Sequence, residues 1–94
     1  MLSKPEIYDQ IVSFLKGYGA TNISVFGSYA NDVENKNSDI DLIVEFKKQL
    51  SLLKFVELEQ NLSDYLGIKV DLLTKSSISP YIYNKIQNEL KVIY

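Results

Sequence analysis

The sequence predicts an α/β chain of 94 residues: a small mixed sheet with helices packed on one face and acidic residues on the other. Two observations carry that expectation. Segments with apolar residues at helical spacing alternate with short β-branched runs. In two of those runs one face is wholly apolar while the other carries aspartate.

Each element follows in order. Ser3-Lys4-Pro5-Glu6 reads as a capping box opening a helix. Ile7, Ile11, Phe14, Leu15 and Tyr18 follow at helical spacing, and Gly17 and Gly19 close the segment. Asn22 to Phe26 is a β-branched and aromatic run, hence a strand, which Gly27-Ser28 breaks. Asn31 to Ser38 is almost entirely polar, a solvated loop that one helical turn at 28–31 precedes. From Asp39 to Phe46 a strand places Ile40, Leu42 and Val44 on one face and Asp39, Asp41, Ile43 and Glu45 on the other. Leu50 to Leu66 is a helix carrying Leu52, Leu53, Val56, Leu62, Tyr65 and Leu66, with Gly67 as its stop. Ile68 to Leu73 is a third strand, with Asp71 opposite Ile68, Val70 and Leu72. Ser79-Pro80 opens a last helix whose stripe is Ile82, Ile86, Leu90 and Ile93.

No repeat, linker or low-complexity segment interrupts this order, so one domain over residues 1–94 is expected. A chain this short buries only about 60–65% of its unfolded surface, so its core needs most of its apolar residues. No apolar run approaches a membrane span and no signal-peptide pattern opens the chain. Cysteine is absent, which excludes disulfides, thiolate metal sites and a cysteine nucleophile. The expected location is therefore the cytoplasm. Histidine and arginine are also absent. That removes a Ser-His-Asp triad, histidine zinc ligands and the bidentate fork favoured for phosphate and guanine. With a net charge of −2 and no basic stripe, direct nucleic-acid binding is not expected. Carboxylates, hydroxyls, Lys and backbone amides remain, and oxygen ligands suit magnesium or manganese.

Asp39 and Asp41 are two apart on one strand, with Cα atoms about 6.5–7 Å apart on the same face. Two carboxylates that close repel unless a proton or cation lies between them. Asp71 repeats the pattern, and if the two strands are neighbours all three acids converge. With six Asp in the chain, an Asp-x-Asp spacing arises easily, and an edge strand showing its acids to water is the plain alternative. Hydrophobic context separates the two accounts: Ile40, Leu42, Val70 and Leu72 embed the acids in core-forming strands, where an unpaired carboxylate costs stability. A Gly-Ser pair after a strand is commonly just a turn, but its amides and hydroxyl can also cradle phosphates.

Together, Phe26-Gly27-Ser28-Tyr29-Ala30, Ser38-Asp39-Ile40-Asp41-Leu42-Ile43-Val44 and Lys69-Val70-Asp71-Leu72-Leu73 resemble the DNA polymerase beta-like nucleotidyltransferase superfamily, closest to its minimal nucleotidyltransferase (MNT) branch. The resemblance implies a nucleotidyltransferase fold. It implies two Mg2+ ions, or Mn2+, held by Asp39 and Asp41, with Asp71 completing one site. Gly27 and Ser28 would hold the β- and γ-phosphates of ATP. The implied reaction is attack of an acceptor hydroxyl on the α-phosphate, leaving AMP on the acceptor. One departure stands out: relatives commonly carry Arg-Gly where Asn31-Asp32 stand here, so a cation near the triphosphate is missing and Asp32 adds negative charge. Lys36 is the loop's candidate substitute.

Proteins of this branch resemble antitoxins that adenylylate a HEPN-domain toxin, which implies such a partner here. Tyr29, Tyr81 and Tyr83 are candidates for its interface, or else ordinary residues of the core edge. Two other readings stay open. One is an antitoxin that acts by binding alone; the other is a small-molecule nucleotidyltransferase of the antibiotic-modifying kind.

Overall fold

The computed structural model describes residues 3–35 and 37–94; Lys36 lies outside the described residues. The chain runs α1 (Lys4–Lys16), β1 (Ala20–Phe26), β2 (Ile40–Phe46), α2 (Leu52–Leu66), β3 (Val70–Leu73), α3 (Pro80–Ile86) and β4 (Lys91–Val92). One four-stranded mixed sheet has the order β3-β2-β1-β4. β1 is antiparallel to both its neighbours, and β2 is parallel to β3.

α1 starts as its sequence dictates. Ser3 accepts from the Glu6 amide and Glu6 reaches back to the Ser3 backbone, satisfying two of the donors a helix start leaves unpaired. Its Ile7, Ile11 and Leu15 are buried, joined by Tyr8. They meet Ile23 and Val25 of β1, Ile40, Leu42 and Val44 of β2, and Val70 and Leu72 of β3 in a single core. The alternation of β2 and β3 thus turns one face inward along its whole length.

α2 forms where expected but presents a different stripe. Leu58 and Leu62 are its buried residues, with Phe55 and Leu66 packed against the core. Leu52, Leu53, Val56 and Tyr65 are exposed instead. Two apolar stripes compete on this helix, and the one that meets the sheet also lets Ser63 and Glu59 face β3. The Val70 amide donates to Ser63 Oγ at 2.9 Å, and the Leu72 amide donates to Glu59 Oε2 at 2.7 Å. These two side chains occupy the donors on the outer side of an edge strand. Gly67 then ends α2 in the left-handed region (φ 70°), its amide bonded to the Ser63 carbonyl.

The expected last helix is corrected. α3 opens at Ser79-Pro80 but ends at Ile86, and Leu90 and Ile93 lie beyond it. The cause is long-range: the outer edge of β1 offers backbone groups that the C-terminal residues satisfy. Ile93 N–H donates to the Ile23 carbonyl at 2.9 Å, and Ile23 N–H donates to the Tyr94 carbonyl at 3.2 Å. Lys91-Val92 pair with Val25 and Ser24 as the fourth strand. Among the described residues no helix is long and apolar enough to cross a membrane.

Candidate active site

β1 delivers Gly27 to the end of the sheet next to the start of β2. Gly27 has φ 75°, a conformation that side chains with a Cβ disfavour. The same position tolerates no side chain for a second reason: a Cβ there would lie 2.4 Å from Asp41 Oδ2. Glycine therefore lets the chain turn while the Asp41 carboxylate lies against its backbone. Beyond it the chain makes one hydrogen-bonded turn without starting a helix. Asn31 N–H donates to the Gly27 carbonyl at 3.1 Å and Val33 N–H to the Ser28 carbonyl at 3.0 Å. Ser28 is half-buried in this turn.

The parallel pairing of β2 with β3 sets Asp41 directly opposite Asp71, and the antiparallel pairing with β1 sets Asp41 opposite Phe26. Burial first, then the charge of Asp71 and a hydrogen bond with it, push the Asp41 carboxyl up to about 6; Asp39 adds to this. Asp39 lies one residue before β2, outside the alternation that fixes Asp41, and its carboxylate is 3.7 Å from Lys69 Nζ. Of the three acids, the structure thus brings Asp41 and Asp71 together and leaves Asp39 facing a lysine. Among the described residues no three acidic side chains are already gathered into a metal-binding cluster.

The donor set nonetheless fits a divalent cation. Two carboxylates held together against their own repulsion accept a cation in place of a proton, and carboxylate oxygens are the donors that magnesium and manganese prefer. Among the described residues neither Asp41 nor Asp71 has a lysine in ion-pairing range.

Asp32 differs from its expected role. It adopts φ 57°, left-handed backbone that Asp tolerates better than most residues. Its carboxylate is paired with Lys4, so it is not a free negative charge beside the site. The same lysine pairs with Glu34. Sequence reasoning missed Lys4 because its partners lie far along the chain. Tyr29 is a correction: it is 7% exposed, part of the core, and not available to an interface. Tyr81 is exposed and Tyr83 half-buried.

Comparison with known proteins places this fold among the nucleotidyltransferases. The nucleotidyltransferase domain family matches residues 7–93, and the chain belongs to it. A putative protein adenylyltransferase of Methanocaldococcus jannaschii is 49% identical over 74 residues, spanning 78% of this chain and 76% of that protein. A toxin–antitoxin crystal structure with AMP-PNP superposes with a TM-score of 0.83 at 28% identity, over 93% of this chain and 72% of that one. A complex of a tri-AMPylated Shewanella oneidensis HEPN toxin with an MNT antitoxin shares the fold, with a TM-score of 0.80 at 24% identity over 98% of this chain and 72% of that one.

Proposed function

We propose that this chain is a metal-dependent nucleotidyltransferase that moves AMP from ATP onto a hydroxyl of a HEPN-type toxin, and so acts as its antitoxin. The carrying observation is the Asp41–Asp71 pair, held in register across parallel strands with Gly27 stripped of any side chain above Asp41. Family membership, the adenylyltransferase relative and the toxin–antitoxin neighbour with AMP-PNP support the same reading. The HEPN class of the partner rests on the resemblance seen in the sequence.

In this reading Asp39, Asp41 and Asp71 are the residues that would hold two Mg2+ ions, with Mn2+ as a substitute, and Asp39 would have to give up Lys69 to do so. Bound divalent ions supply charge neutralisation at the attacking and departing oxygens of a phosphoryl displacement. The chain's own part is positioning. Gly27 allows the polyphosphate to approach the backbone, and Ser28 with the turn amides orients the β- and γ-phosphates. The acceptor oxygen bonds to the α-phosphorus as that phosphorus loses its bond to the α–β bridging oxygen; pyrophosphate leaves with that oxygen and the hydroxyl proton is released to solvent. ATP supply fits the cytoplasmic location expected from composition.

The test is transfer of label from α-labelled ATP to the co-expressed partner with Mg2+, absent in EDTA. A wild-type chain that protects cells while labelling nothing sinks the enzymatic reading. One observation favours the alternative, an antitoxin that works by binding alone: Asp39 is engaged by Lys69. Protection by an Asp39→Asn, Asp41→Asn double variant distinguishes the two.

A further inference from the structure

The turn after Gly27-Ser28 is costly to hold. It leaves β1 through a left-handed glycine and returns through Asp32, also left-handed. Left-handed backbone is disfavoured for residues with a Cβ, though less for Asp than for most, so contacts from outside the loop help such a turn keep one shape. Lys4, in the first turn of α1, supplies them. Its ammonium donates to the Tyr29 carbonyl at 3.0 Å and pairs with the carboxylates of Asp32 and Glu34. Of the ammonium's three protons, one goes to the Tyr29 carbonyl and one to Asp32, and the Glu34 carboxylate lies beside it as an ion-pair partner, all on the one loop. The Lys4 side chain is 23% exposed and its ammonium lies 5.8 Å from the Tyr29 ring centroid. Tyr8, also on α1, brings its hydroxyl to 3.4 Å from the same Tyr29 carbonyl. Lys91 adds a second positive field at Asp32.

We propose that Lys4 is a positioning residue for the nucleotide, locking the turn that follows Gly27-Ser28 so that its phosphate-facing groups are aligned before ATP arrives. With its protons committed to the loop, Lys4 does not replace the missing arginine as a phosphate ligand; it shapes the backbone instead. Asp32 is then the loop's half of the lock. A glycine in its place fits the backbone better but takes away one of the two carboxylates that Lys4 pairs with. The inference rests on the nucleotidyl-transfer reading above.

Affinity for Mg2+ and AMP-PNP, measured by calorimetry well below the unfolding temperature, tests it. Lys4→Met is expected to bind about tenfold more weakly, and Lys4→Arg to recover to within about twofold of wild type. The amides of Asn31 and Val33 should exchange faster in Lys4→Met while those of β2 do not, a selectivity that general destabilisation lacks. Asp32→Gly should also weaken binding despite its easier backbone. Unchanged affinity in Lys4→Met, or a loss that Lys4→Arg leaves uncorrected, overturns the proposal. If Lys4→Met does not fold, Asp32→Gly with Glu34→Gln gives the same reading from the carboxylate side. Wild type that binds no nucleotide sinks the functional reading instead.

Discussion

Two groups of acids at the same end of the molecule are treated in opposite ways. At the loop, Asp32 and Glu34 share the Lys4 ammonium, and that lysine is held well above its usual pKa by hydrogen bonds to Asp32 and then Glu34. At the sheet, Asp41 and Asp71 face each other with no lysine in ion-pairing range among the described residues. The loop's acids are answered from within the fold and hold it in shape. The sheet's acids are set opposite each other by strand register, and Asp41 answers the crowding by holding on to its proton. A fold that places like charges together by backbone pairing offers a candidate site for a ligand there.

The strongest way to break that contrast is Asp41→Asn. It removes half of the unanswered pair and should lower AMP transfer by about a thousandfold, the rate equivalent of several kcal/mol of lost metal electrostatics. The same variant should melt higher than wild type in EDTA, because it also removes a repulsion. A lower melting temperature in EDTA contradicts the account of the pair. Gly27→Ala is next. It forces a Cβ toward Asp41 Oδ2 and into left-handed backbone, and should cost roughly 2 kcal/mol of stability in urea unfolding.

Acidity sharpens the contrast further. Asp41 keeps its proton in the fold up to about 6, from an ordinary 3.8. The fold therefore binds more protons than the unfolded chain between those values, so this residue's contribution is complete below about pH 4 and is lost as pH climbs through 6. Thermal melts in EDTA should record the decline from Asp41, and saturating Mg2+ should flatten it by taking the proton's place. The smallest effect belongs to Lys69→Met. Freed of its partner, Asp39 should turn to the metal, tightening Mg2+ binding about twofold, the size expected of an exposed pair. Weaker binding in that variant means that Lys69 orients Asp39 usefully.

The elements set by local chemistry were readable in advance. Ser3 and Glu6 announce α1, and the alternation from Ile40 and from Val70 announces two strands with an inward face. Contacts between distant segments were not. The stripe of α2 that meets the sheet, Leu58 with Leu62, is no more apolar than the exposed Leu52, Leu53 and Val56, so periodicity alone points either way. The fate of Ile93 depends on backbone groups of Ile23, seventy residues earlier. At the site, the Asp residues and Gly27-Ser28 stand out by type and spacing. That Asp41 lies opposite Asp71, that Gly27 makes room for it and that Lys4 holds the loop all depend on strand order and helix placement.

The bonds from Ser63 and Glu59 to β3 have a consequence for how this molecule meets others. A strand looking for a border to join needs amides to accept from, and at Val70 and Leu72 those are already spoken for. The border beside Asp71 is sealed against β-sheet extension, so copies are kept from zipping together over the acids.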